Sequence, residues 1–151
     1  MHIRSQRTAE LTELINVLVQ EFLEIHQNLN DAYTGISKQE LNIISIVGRS
    51  GGVIMREIAE QVRLAVSSIT PIVDKLVEKK LARRDRSEED RRIVTVMLTE
   101  KGQKIYQMEV ESYMRLSASI LEALSEKEQE QFVGYFRKVA TFLQKEESPT
   151  A

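Results

Sequence analysis

Apolar residues recur along this 151-residue chain at steps of three and four, the period of helices that bury one face. Leu11, Leu14, Ile15, Leu18, Phe22, Ile25 and Leu29 make one such stripe and predict a long amphipathic helix over residues 8–33, with Gly35 closing it. Ser37 and Glu40 then stand at the spacing of a capping box, in which a hydroxyl and a carboxylate each take a backbone N–H at a helix start. The helix it opens turns Leu41, Ile44 and Val47 inward and stops at the Gly51–Gly52 pair. Val53 and Ile54 leave room for only a very short strand.

Two short amphipathic stretches follow. One carries Met55, Ile58, Ala59 and Val62, the other Ile69, Ile72, Val73, Leu76 and Val77, with only Arg63 to Ser67 between them. Short helices joined this tightly are the pattern of a helix-turn-helix. Leu81 to Arg86 suits an extended strand, and Ile93 to Leu98 is β-branched with Val94, Val96 and Leu98 on one face. Ser87 to Arg92 between them is long enough for a hairpin loop with a basic tip, which makes the unit a winged helix-turn-helix. After Thr99 and Gly102 the helical period returns through Ile105, Met108, Leu116, Ile120, Leu121 and Leu124. Ser125 and Glu128 repeat the capping-box spacing and open a last helix whose apolar face carries Phe132, Phe136, Val139, Ala140 and Leu143.

The expected fold is mainly α with a small β wing, a single domain over residues 1–151. Its winged helix-turn-helix lobe spans about 36–98, flanked by helical arms over about 8–33 and 99–147. The lobe supplies its own core, so the apolar faces of the arms have too little in one chain to cover them. Soluble monomers avoid patches of that size. The expected solution is a homodimer in which the terminal helices of two copies bury each other.

Composition narrows the function. The chain has no cysteine, which removes disulfides, thiolate metal sites and thiol nucleophiles and fits a reducing, cytoplasmic setting. No apolar run approaches a membrane span, and the polar residues Met1 to Arg7 are not followed by the apolar core of a signal segment, so no membrane partner is expected. Net charge is −2, yet Lys75 to Arg92 holds eight Lys and Arg against five acids. A basic strip on an acidic body suits a DNA reader and equally a solvated charge cluster. No nucleophile with a base, phosphate loop or paired carboxylates stands out, so no enzyme, cofactor or catalytic residue is expected. His2 and His26 have no partners at metal-ligand spacing.

Two segments carry a family resemblance. Ser67-Ser68-Ile69-Thr70-Pro71-Ile72-Val73-Asp74-Lys75-Leu76 resembles the recognition helix of the multiple antibiotic resistance regulator (MarR) family. Asp90-Arg91-Arg92 followed by Leu98-Thr99-Glu100-Lys101-Gly102 resembles that family's wing and wing exit, and is the more specific part. The resemblance implies a dimeric transcription regulator on pseudo-palindromic double-stranded DNA, with the recognition helix in the major groove and the wing in the flanking minor groove. It implies DNA contacts from Ser67, Ser68, Thr70, Pro71, Lys75, Arg84, Arg86, Arg91 and Arg92. Hydroxyls at a helix start reach phosphates or base edges, and a guanidinium suits the negative potential of a narrow groove. Asp90 matches an acid that orients a wing arginine. Pro71 stands where many members carry Arg or Lys, and without an N–H it requires the helix to start near Ser67 or to accept a local distortion. A Thr-Pro pair occurs in the family's peroxide-sensing branch, but that branch senses through a cysteine, which this chain lacks.

The family's commoner mode is repression, and a non-covalent organic effector is the expected signal. His26 and Tyr33 could border an effector pocket at the junction of the dimer arm and the DNA-reading lobe, although packing is the better account of both. The alternative to DNA reading is a winged helix that binds only protein.

Overall fold

The computed structural model describes residues 2–32, 35–86 and 93–146, and within these every side chain except those of residues 2–4, 26, 29–32, 145 and 146. Helix α1 runs from His2 to Ala32, starting six residues before the expected residue 8. Residues 2–7 contain no glycine or proline, so nothing in them stops a helix that the apolar stripe has established.

Helix α2 (Lys38–Ser50) opens on the expected capping box. The Ser37 N–H donates to the Glu40 carboxylate at 2.6 Å, and the Glu40 N–H donates to the Ser37 hydroxyl at 3.2 Å. Gly51, with φ 72°, ends it in the left-handed conformation that glycine adopts without cost. Strand β1 (Val53–Ile54) leads into α3 (Met55–Val62), and after a three-residue turn α4 (Val66–Glu78) completes the helix-turn-helix.

Strands β2 (Ala82–Arg86) and β3 (Val94–Leu98) pair antiparallel, and β1 joins the far side of β3, giving the order β1-β3-β2. Val96 on the central strand faces Val53 on one side and Arg84 on the other. It is fully buried, with Leu41, Ile44, Ile58, Ile69, Val73, Leu76, Leu81 and Ile105 around it in the core. The loop between the strands, residues 87–92, lies outside the described residues.

Helices α5 (Glu100–Glu122) and α6 (Glu126–Glu146) finish the chain. The fold divides into two compact units, residues 1–113 and 114–151, and the division falls inside the continuous α5. The first unit holds the winged helix-turn-helix core, to which α5 contributes Gly102, Ile105 and Glu109. In the second, Ser125 donates to the Glu128 carboxylate through its N–H at 2.9 Å and through its hydroxyl at 2.6 Å. The carboxylate half of the expected capping box therefore forms, while the hydroxyl turns to the acid. None of the described residues of α6 is buried.

Candidate nucleic-acid interface

Helix α4 has two faces. Ile69, Val73 and Leu76 are buried in the core, whereas Ser67, Ser68, Pro71 and Lys75 are exposed on the outside. Ala65 precedes the first turn, whose Ser67 and Ser68 N–H groups lie at the positive end of the helix. Thr70 is half-buried, and its hydroxyl donates to the Val66 carbonyl at 2.9 Å. The helix starts at Val66, one residue earlier than Pro71 was expected to permit, and keeps Pro71 as its sixth residue. Pro71 has no N–H to give the Ser67 carbonyl four residues back, and that exposed turn has water to satisfy it.

The basic strip is less free than its sequence implies. Arg84 on β2 pairs with Asp74 on α4 at 2.5 Å, and Arg83 pairs with Asp85 at 3.2 Å. Lys79 points away from the exposed face, donating to the buried Glu40 carboxylate at 2.6 Å and to the Gly35 carbonyl. Burial alone would push the Glu40 acid up. The hydrogen bonds from Lys79 and Ser37, together with the Lys79 charge, outweigh burial and hold it below the usual carboxylate range. Among the described residues, Lys75 and Arg86 are exposed cations without an ion pair. Asp90, Arg91 and Arg92 of the wing tip lie outside the described residues, as do the His26 side chain and Tyr33.

The wing is held at its base by the Thr99 and Gly102 of the wing-exit motif. The Thr99 N–H donates to the Leu81 carbonyl at 3.0 Å and its hydroxyl to the Lys80 carbonyl at 2.7 Å, while the same hydroxyl accepts the Gly102 N–H at 3.2 Å. Gly102 sits so close to strand β2's entry that a Cβ there would lie 2.0 Å from the Leu81 carbonyl oxygen. A packing requirement thus explains the glycine.

A cavity of about 630 Å³ opens within the first unit between α2 and α5. Lys38, Asn42, Ser45 and Arg49 line it from α2, on one helical face. Tyr106, Glu109, Val110 and Tyr113 line it from α5 at the same kind of spacing. The Tyr106 ring lies against Gly48, where any side chain would collide with it. Glu109 is only 4% exposed and accepts a hydrogen bond from the Ser45 hydroxyl. Burial first, and then the Glu109 charge, raise the Tyr113 phenol above its ordinary range. The Phe22 ring of α1 lies 5.6 Å from that of Tyr113. These are the described residues of the cavity; the expected His26 side chain and Tyr33 lie outside the described residues. The sequence signal was a Tyr-Glu-Val-Tyr stripe at positions 106, 109, 110 and 113 that is too polar for pure core.

Comparison with known proteins bears on this geometry. A family model described as MarR family matches residues 36–94, from the residue before the Ser37 cap to the first residue of β3. An uncharacterized HTH-type transcriptional regulator of Bacillus subtilis, YpoP, is 33% identical over 102 residues, which cover 67% of this chain and 72% of the relative. The chain belongs to the MarR family. Like other MarR proteins it is a DNA-binding transcription regulator with a winged helix fold. Among solved structures, Streptococcus pneumoniae FabT in complex with DNA is 28% identical, with a TM-score of 0.77 over 93% of this chain and 97% of FabT. NadR in complex with 4-hydroxyphenylacetate shares the MarR fold at 24% identity, with a TM-score of 0.64 over 86% of this chain and 89% of NadR. Among the described residues no helix is long and apolar enough to cross a membrane, and no cluster of His, Asp or Glu is placed to hold a metal.

Proposed function

We propose that this MarR-family protein is a ligand-responsive repressor that binds a pseudo-palindromic operator as a homodimer, all 151 residues acting as one regulatory domain. The carrying observation is the exposed side of α4, where Ser67, Ser68, Pro71 and Lys75 stand clear of the core beside the cations of β2. In this reading Ser67, Ser68 and Pro71 meet the major groove, with Thr70 alongside. Lys75, Arg84 and Arg86 meet phosphates, and Arg91 and Arg92, oriented by Asp90, enter the flanking minor groove. Asp74 holds the Arg84 guanidinium at the edge of the recognition helix. That FabT has been solved with DNA supports the reading.

Two copies are called for by the arms. In the first unit α1 exposes Leu11, Leu14, Ile15 and Phe22, and in the second α6 exposes Phe136, Val139, Phe142 and Leu143. A repressor acts by occupying its promoter, so release by a small organic effector is the economical control. NadR's complex with 4-hydroxyphenylacetate and the cavity of about 630 Å³, a size suited to a small molecule, support that part.

Selection of bound duplexes from a random pool tests the core of the reading. The expected product is an inverted repeat with half-site centres about 10 base pairs apart, bound with a steep salt dependence. Recovery of no sequence, with weak and salt-insensitive binding, would instead make the lobe a protein-interaction module.

A further inference from the structure

Glu109 is an unusual lining for a cavity. Its carboxylate is almost fully withdrawn from water, in the middle of a helix, and among the described residues it accepts a hydrogen bond from the Ser45 hydroxyl alone. A carboxylate offers about four acceptor positions, and a buried one left mostly unfilled is costly unless something else fills it. Its charge is felt in the cavity, since it helps to raise the neighbouring Tyr113 phenol.

We infer that the α2–α5 cavity takes an arylalkylamine or an arylamidine, whose protonated nitrogen donates to Glu109 while its ring lies among Tyr106, Val110 and Tyr113. The inference rests on the effector reading above and names the class of ligand. Two cations also line the cavity, so charge sign has to be weighed. Lys38 and Arg49 are exposed and stand eleven residues apart on α2, about 16 Å along the helix, at opposite ends of the lining. Both charges are solvated and screened; Lys38 is exposed and can turn outward, while the Arg49 Nε donates to the Ser45 carbonyl at 3.4 Å, which holds that side chain along the rim of its own helix. The Glu109 charge is fixed and shielded from water, so it dominates at the centre. Tyrosine faces beside it add attraction for an ammonium group.

The test compares two probes of like shape and opposite charge, 2-phenylethylamine and 3-phenylpropanoate, by calorimetry on the full chain. The amine should bind at least about tenfold more tightly, and Glu109→Gln should remove that preference. Hydrogen exchange on the wild type should show amine protection over residues 38–49 and 106–113, a readout that stands even where the variant fails to fold. The inference is overturned by equal or tighter binding of the acid, by binding of neither, or by protection elsewhere. Operator release is scored separately. Release by the acid alone keeps the effector reading and rejects the amine, whereas a bound amine that leaves the operator occupied does the reverse.

Discussion

Lys79 illustrates how one contact changes what a residue means. In the sequence it is one more cation in a basic strip, but its ammonium group lies against the buried Glu40 carboxylate and the Gly35 carbonyl. It ties the last residue capping the recognition helix to the start of α2. Lys79→Met would leave Glu40 buried and unpaired, so a loss on the order of 2 kcal/mol is expected in urea unfolding, below the ~3–5 of a fully enclosed pair. Operator affinity should fall with the position of the helix while the salt slope stays unchanged. Lys75→Met, removing the phosphate contact proposed for that exposed cation, should lower the slope by about one with little effect on stability. Because the Glu40 acid is held below its unfolded value, its contribution is complete above the ordinary carboxylate range and is lost as pH falls through the lowered folded value. Unfolding between neutral and acid pH should therefore be less pH-dependent in Lys79→Met than in the wild type.

Between elements, two junctions fix the wing against the recognition helix. Helix α4 ends in a Schellman arrangement, with the Leu81 N–H donating to the Leu76 carbonyl at 2.8 Å and the Lys80 N–H to the Val77 carbonyl at 2.9 Å. Lys80 accordingly sits at φ 58°, a left-handed conformation that disfavours side chains. Lys80→Gly should raise stability by about 0.5–1 kcal/mol, measured as a higher urea midpoint at unchanged m-value. The other junction has no such slack. Gly102→Ala drives a Cβ into the Leu81 carbonyl, and the backbone of α5 or β2 must move. A cost of about 1–3 kcal/mol is expected, with weaker DNA binding because the strand carrying Arg84 and Arg86 shifts. A stable Gly102→Ala protein with native operator affinity would refute that close contact.

At the scale of the molecule, the exposed apolar residues of α1 and of α6 are what the proposed second copy would cover. Light scattering at low micromolar concentration should return about twice 17.4 kDa. Introducing a charge into each face, with Leu14→Glu and Phe136→Glu, should give monomers that keep helical circular dichroism but lose operator binding. Two linked half-sites gain effective concentration that a single lobe lacks. A wild-type monomer that binds DNA tightly would remove the need for a dimer.

Much of this was readable from residue order. The helical stripes, the Ser37–Glu40 cap, the short connection after Val62 (expected to run to Ser67, ending in fact at Ala65), the paired strands and the wing-exit motif are local signals, set by period and by near neighbours in sequence. They determined the winged helix and its family. Tertiary structure alone decided which charges are free. Lys79 meets Glu40 across 39 positions, Arg84 meets Asp74 across 10, and Ser45 meets Glu109 across 64. Such pairings depend on how helices pack, and no local period encodes them. The cavity follows the same rule, because a polar stripe on α5 becomes a cavity wall only when α2 lies opposite with Gly48 making room for Tyr106.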